Sequence, residues 1–132
     1  METLFQITVV VNNYDEAIAW YQKNLSFQLV EDTVLTPQKR WVVMQPSGGG
    51  CQILLAKAAT PLQQNFIGNQ TGGRVAFFLH TNRLQNLLVQ LQNNGVTIVR
   101  PPTVEPYGTV FVLADLYGNL WDVIEPTAAN PS

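Results

Sequence analysis

The chain has 132 residues, a net charge of -2 and an apolar content of 46%, enough to build one compact core, and its few Lys and Arg leave no basic face for DNA or RNA. No apolar run approaches the length of a membrane span, and the first residues enter a strand without a basic segment followed by a long apolar stretch, so a cytoplasmic protein with no membrane partner is expected. The single Cys51 excludes an internal disulfide and any multi-cysteine metal site, and at its strand position it reads as a small buried hydrophobe.

In chain order the elements repeat. Phe5-Gln6-Ile7-Thr8-Val9-Val10-Val11 is rich in β-branched residues and predicts a strand. Asn13 with Glu16 three positions later is a capping-box signature, and Ala17, Ile18, Tyr21 and Leu25 mark the apolar face of the helix that follows, ending near Ser26-Phe27. Three strands are predicted next, over about 28–35, 40–45 and 51–56, the last entered through Ser47-Gly48-Gly49-Gly50. Those glycines lead into a strand with no helix N-terminus behind them, so they read as a loose hairpin and not as a phosphate cradle.

Residues 60–72, with Pro61, Gly68 and Gly72 and little periodicity, read as a linker. Arg74-Val75-Ala76-Phe77-Phe78-Leu79 then predicts a second strand running to a helix cap at Asn82. Leu84, Leu87, Leu88 and Leu91 follow at i, i+3, i+4 and i+7, and Gly95 closes that helix. Three more strands are expected over about 96–99, 107–114 and 119–124, with turns at Pro101-Pro102 and Tyr117-Gly118-Asn119, and residues 126–132 read as a loose tail. Each amphipathic helix must lie on a sheet. The expected fold is α+β: two βαβββ modules over about 4–57 and 73–126, joined by a linker over about 58–72, forming paired half-barrel sheets with a cup between them in a single domain.

Three segments resemble the vicinal oxygen chelate superfamily, which includes glyoxalase I, extradiol dioxygenases, fosfomycin resistance enzymes and bleomycin-binding proteins. Residues 7–21 are similar to its first strand, cap and aromatic-Tyr helix; Asn24-Leu25-Ser26-Phe27 is similar to its Leu-Gly-Phe; and Asp115-Leu116-Tyr117-Gly118-Asn119-Leu120-Trp121 is similar to its Asp-Pro-Asp-Gly-Asn turn. The resemblance covers nearly the whole chain. In metal-using members each module donates two ligands, usually His and Glu, from its first and last strands. Carried over position by position, these fall on Gln6, Gln52, Arg74 and Asp122.

That set is chemically unlike a metal site. A Gln carbonyl is a weak neutral ligand, and a guanidinium brings a charge that cannot be removed, so no metal and no other cofactor is expected. A bidentate Arg74–Asp122 pair, with the two Gln amides completing the hydrogen bonds, would satisfy all four groups. The alternative turns Arg74 outward and leaves the cup to Asp122 and the amides.

Strand alternation adds Leu4, Thr8 and Val10 to the face of Gln6, and Ala76, Phe78 and His80 to the face of Arg74, while Phe5, Ile7, Val9 and Val11 are expected against the helix. Leu54 and Ala56 flank Gln52; Leu120 and Ile124 flank Asp122. His80, at a strand end beside a cap, reads as a partly exposed structural residue. Trp41 and Tyr107 could stack on a ligand or simply pack in the sheet, and Trp20 and Trp121 read as core. Glu105 beside Pro106-Tyr107-Gly108 is a second candidate base with Asp122.

The expected function is metal-independent binding of a small organic ligand in a mostly apolar cup with a polar centre. The alternative is a lyase or isomerase resembling glyoxalase I, with a degenerate metal site or a carboxylate base. As single-domain relatives usually pair, the resemblance also implies a homodimer in which one chain supplies Gln6 and Gln52 to a cup and the other supplies Arg74 and Asp122.

Overall fold

In the computed structural model, which describes residues 1–127, the chain divides into two units, Met1–Gln70 and a second beginning at Thr71. The first contains β1 (Gln6–Val11), α1 (Tyr14–Leu25), β2 (Gln28–Thr36), β3 (Lys39–Gln45), β4 (Gln52–Lys57) and a short α2 (Pro61–Gln64). Its four strands lie in the order β1-β4-β3-β2. β1 runs parallel to β4 and the other pairs are antiparallel.

The helix α1 begins as its sequence dictates. The Asn13 side chain accepts a hydrogen bond from the Glu16 N–H at 2.9 Å, satisfying one of the donors a helix start leaves free. At the other end Ser26 takes a left-handed conformation, φ 56°, which disfavours a residue with a Cβ. Burial of the next residue, Phe27, offsets that cost, and its N–H bonds to the Tyr21 carbonyl. Ala17, Ile18, Tyr21 and Leu25 are buried as expected, with α1 lying on β2, β3 and β4. Val9 and Val11 complete this side of the sheet. Phe5 does not, because it precedes β1 and is largely exposed. On the same side Arg40 bridges Asp15 and Asp32 and stacks over Tyr14; its hydrogen bond holds the Asp32 carboxyl below the usual carboxylate range.

β1 is an edge strand, and an edge strand presents unpaired N–H and C=O groups. Gln70, at the end of the expected linker, occupies that edge: its amide oxygen accepts from the Val10 N–H and its NH2 donates to the Thr8 carbonyl. One side chain thus stands in for a neighbouring strand. Gln70→Ala is expected to lower the unfolding free energy by about 1 to 2 kcal/mol for two lost hydrogen bonds. Urea denaturation measures it, and an unchanged midpoint would show that the cap contributes nothing.

The second unit contains β5 (Val75–His80), α3 (Leu84–Asn93), β6 (Ile98–Glu105), β7 (Gly108–Ala114) and β8 (Leu120–Pro126), with strand order β5-β8-β7-β6. Leu84, Leu87, Leu88 and Leu91 are buried, and α3 lies on β8. The helix start differs from expectation. The residue before the helix is Arg83, which offers no cap from its side chain, and the Glu125 carboxylate accepts from the Leu84 N–H at 2.8 Å instead. A long-range acceptor has replaced a local one.

Pro101-Pro102 also differs, lying inside β6 and not in a turn. β6 is an edge strand, and the register shifts between Arg100 and Thr103, so the prolines sit where a missing N–H costs the ladder nothing. The turn into β8 is held by Asp115, whose carboxylate accepts from the Tyr117 and Asn119 N–H groups and from the Asn119 side chain. Trp121 is buried as expected, while Trp20 is only half-buried. Of the expected loose tail, residues 128–132 lie outside the described residues.

Candidate functional site

Alternation sets one face of each sheet against its helix and leaves the other free of any helix. In the first unit the helix side takes Val9, Val11, Val42, Met44, Ile53 and Leu55, all buried. The predicted site residues therefore share the helix-free face. Gln6 pairs with Gln52 and Thr8 with Leu54 across β1 and β4, Val43 lies beside Leu54, and Trp41 pairs with Thr33 on β2. The face has amides at one end, an aliphatic middle and an indole at the other. Glu31 also stands on it, opposite Val43, with its carboxylate accepting from the Thr33 hydroxyl.

In the second unit the helix-free face carries Phe78, Asp122, Val112 and Arg100 in one row, through the pairs Phe78–Asp122, Val112–Asp122 and Arg100–Val112. The bidentate Arg74–Asp122 pair is absent. Among the described residues neither Arg74 nor Asp122 enters an ion pair, and Arg74 is exposed. The register explains this. β5 and β8 pair at Phe77–Trp121 and Phe78–Asp122, so Asp122 meets Phe78, while Arg74 lies four residues upstream, before β5, with its carbonyl accepting from the Thr71 hydroxyl at 2.6 Å. Asp122 sits two residues, roughly 7 Å, farther along β8 than the partner of Val75.

This leaves Asp122 with an unmet requirement. Its Oδ1 is buried and has no hydrogen-bond partner, whereas buried polar atoms in native proteins are almost always paired. Its cross-strand partner Phe78 is 66% exposed, an unusual state for a large aromatic side chain. A buried acceptor beside an exposed ring is the chemistry of a site that expects an N–H or O–H on an apolar body.

The other candidates are scattered. His80 is exposed at the end of β5, on the face of Phe78. Tyr107 is exposed in the turn between β6 and β7, and Glu105 flanks that turn opposite Gly108, at the end of the sheet where β8 reaches Pro126. That is about 13 Å along the strand from Asp122. Cys51 is half-buried and outside any cluster. A recess of about 340 Å³ at the start of α3, lined by Arg83, Leu84, Thr109 and Glu125 among others, lies on the helix side, away from Asp122.

Metal-ligand chemistry is a poor fit to each unit. Where the metal-using pattern falls, the first unit offers the two amides of Gln6 and Gln52 and the second the carboxylate of Asp122, and among the described residues no three His, Cys, Asp or Glu side chains gather closely enough to hold an ion.

Residues 3–123 match the family model described as the Glyoxalase/Bleomycin resistance protein/Dioxygenase superfamily. The chain belongs to this superfamily. An uncharacterized protein of Shewanella frigidimarina (strain NCIMB 400) is 48% identical over 132 residues, covering 98% of each chain. The fold is similar to that of UcmS2, with a TM-score of 0.81 at 24% identity over 95% of this chain and 98% of that one. It is also similar to TnmS3, an antibiotic binding protein from Streptomyces sp. CB03234, with a TM-score of 0.79 at 22% identity over 96% of this chain and 98% of that one. In a superfamily that holds both enzymes and binding proteins, the site chemistry has to decide between them.

Among residues that matter to the site, sequence reasoning missed Gln28, Gln45, Glu31 and Arg100. All four stand on strands outside the first and last of each module, and the facing of Glu31 and Arg100 follows bulges in β2 and β6 that no local pattern announces.

Proposed function

We propose that this chain is a metal-independent binding protein for a small organic molecule with an apolar body and a hydrogen-bond donor, held in part by Asp122. The unpaired, buried Oδ1 of Asp122 carries this reading. A carboxylate oxygen withdrawn from water without a partner costs about 1 to 3 kcal/mol, and a ligand N–H or O–H offsets that cost. Phe78 supplies the adjoining apolar contact, and the likeness to an antibiotic binding protein is consistent with such a ligand. Two chains associate, which gives the exposed apolar residues of β2 and β6, Val34, Leu35, Val99 and Val104 among them, a partner to cover them.

A second reading rests on the same carboxylate. The unpartnered Oδ1 of Asp122 stands where the base of a lyase or isomerase would meet a bound substrate. Glu105 lies too far along the sheet to assist it.

Native mass spectrometry of the purified protein tests these statements together. The expected result is about twice the 14.7 kDa chain mass, no stoichiometric divalent metal and a bound organic molecule lost on denaturation. One metal ion per chain, or a monomer at micromolar concentration, would overturn the corresponding part. Conversion of the bound molecule to a product on incubation would establish the enzymatic reading.

A further inference from the structure

The first unit has a feature of its own on the helix-free face. Gln6 pairs with Gln52 across β1 and β4, and Gln28 pairs with Gln45 across β2 and β3. Between them, β3 and β4 pair at Val43–Leu54 and Met44–Ile53. One step further along this antiparallel ladder brings Gln45 opposite Gln52. Each of the four strands therefore contributes one glutamine to a single row, in the order Gln6, Gln52, Gln45, Gln28.

These amides are almost unspent. Gln45 donates to the Gly50 carbonyl at 3.2 Å. The side chains of Gln6, Gln52 and Gln28 form no hydrogen bond within the protein among the described residues. Gln6 and Gln52 are nonetheless half-buried, so they are not simply solvated surface groups. A primary amide offers two donors and a carbonyl acceptor, with no net charge. Strands are spaced by about 4.8 Å, so the row offers alternating donors and acceptors over roughly 14 Å. The remainder of the face is Thr8, Leu54, Val43 and Trp41, and the charged group facing it from β2, Glu31, is occupied by Thr33.

We infer that the glutamine row is a subsite for the uncharged edge of a ligand, one that carries carbonyl and amide or hydroxyl groups, and that it discriminates against a carboxylate at the same position. This inference rests on the small-molecule reading above and adds the chemistry of a second contact. A carboxylate on the row would lose its water to four neutral amides with no cation to compensate. A carbonyl beside an N–H or O–H meets both functions of each amide.

The probes are 2-naphthamide and 2-naphthoate, which share a ring system and differ in charge. Side-chain NH2 signals of Gln6, Gln28, Gln45 and Gln52 in ¹⁵N-labelled full-length protein report the row directly. The expected result is that 2-naphthamide shifts these signals and binds about tenfold or more tightly than 2-naphthoate, and that Gln52→Leu and Gln45→Leu each weaken the amide about tenfold. Gln52→Glu, which keeps the shape and adds a charge, guards against misfolding of the leucine variants and is expected to retain the fold while further weakening 2-naphthoate. Equal binding of the two probes, or amide binding that survives both leucine substitutions, overturns the subsite and leaves the Asp122 reading standing. Gln signals that respond to protein concentration but not to 2-naphthamide overturn it too, because a second chain then covers the row. Binding of neither probe overturns the subsite and the small-molecule reading together.

Discussion

Asp122→Leu is expected to leave the protein as stable as the natural chain, or more stable by about 1 kcal/mol, while removing a ligand contact. Had Arg74 and Asp122 formed a buried ion pair, deleting one member would strand the other at a cost of about 3 to 5 kcal/mol. Instead Arg74 is exposed and Asp122 Oδ1 is buried without a partner, so leucine removes an unsatisfied group and adds apolar contact with Phe78 and Val112 beside it. Binding moves the other way. A hydrogen bond to a charged acceptor contributes about 1.5 to 3 kcal/mol, so 2-naphthol, which has an O–H donor, should bind the variant roughly 10- to 100-fold more weakly. 2-Methoxynaphthalene, which lacks the donor, should bind both forms alike. Urea unfolding and calorimetric titration measure the two effects separately. Loss of stability by several kcal/mol, or an unchanged preference for 2-naphthol, would remove Asp122 from the site. Stability given up at a functional position is the expected pattern when a site is built to meet a ligand.

The order of elements was legible because it depends on local chemistry. Asn13 with Glu16, the leucine stripe of α3 and the β-branched run of β1 all mean the same thing in any context, and all fold as read. Proposals that required pairing between distant strands fared unevenly. Gln6 and Gln52 do meet, because β1 and β4 pair without a shift. Arg74 and Asp122 do not, because Asp122 aligns with Phe78 and Arg74 lies four residues upstream, before β5. Cross-strand register decides which side chains can touch, and nothing in the run of 74–80 announces which residue Asp122 will face. The same limit hid Gln28 and Gln45 from view and placed Pro101-Pro102 in a turn. Capping showed a related failure at Leu84, where the acceptor comes from Glu125, far away in the chain.

Gly108→Ala is expected to be among the most damaging small substitutions in the molecule. A Cβ at this position would lie 2.4 Å from the Glu125 carbonyl oxygen and 3.0 Å from the Pro126 Cα. Both are backbone atoms of the paired strand, which cannot swing aside as a side chain can. Gly108 pairs with Pro126 at the end of the β7–β8 ladder and with Glu105 across the hairpin, so β7 and β8 must part there. That movement also strains the Thr127 N–H bond to the Tyr107 carbonyl and the Glu125 cap on Leu84. The expected loss is about 3 kcal/mol or more. Gly95→Ala is the control: it too has a positive φ, 77°, but nothing within 4 Å of its Cβ, so only the left-handed backbone is penalised, at about 1 kcal/mol. Because Asp122 pairs with Val112 and Phe78 farther along the sheet, the folded fraction of Gly108→Ala should still bind 2-naphthol. Urea midpoints that rank Gly95→Ala as the more damaging of the two would show that the close approach at Gly108 does not hold this end of the sheet.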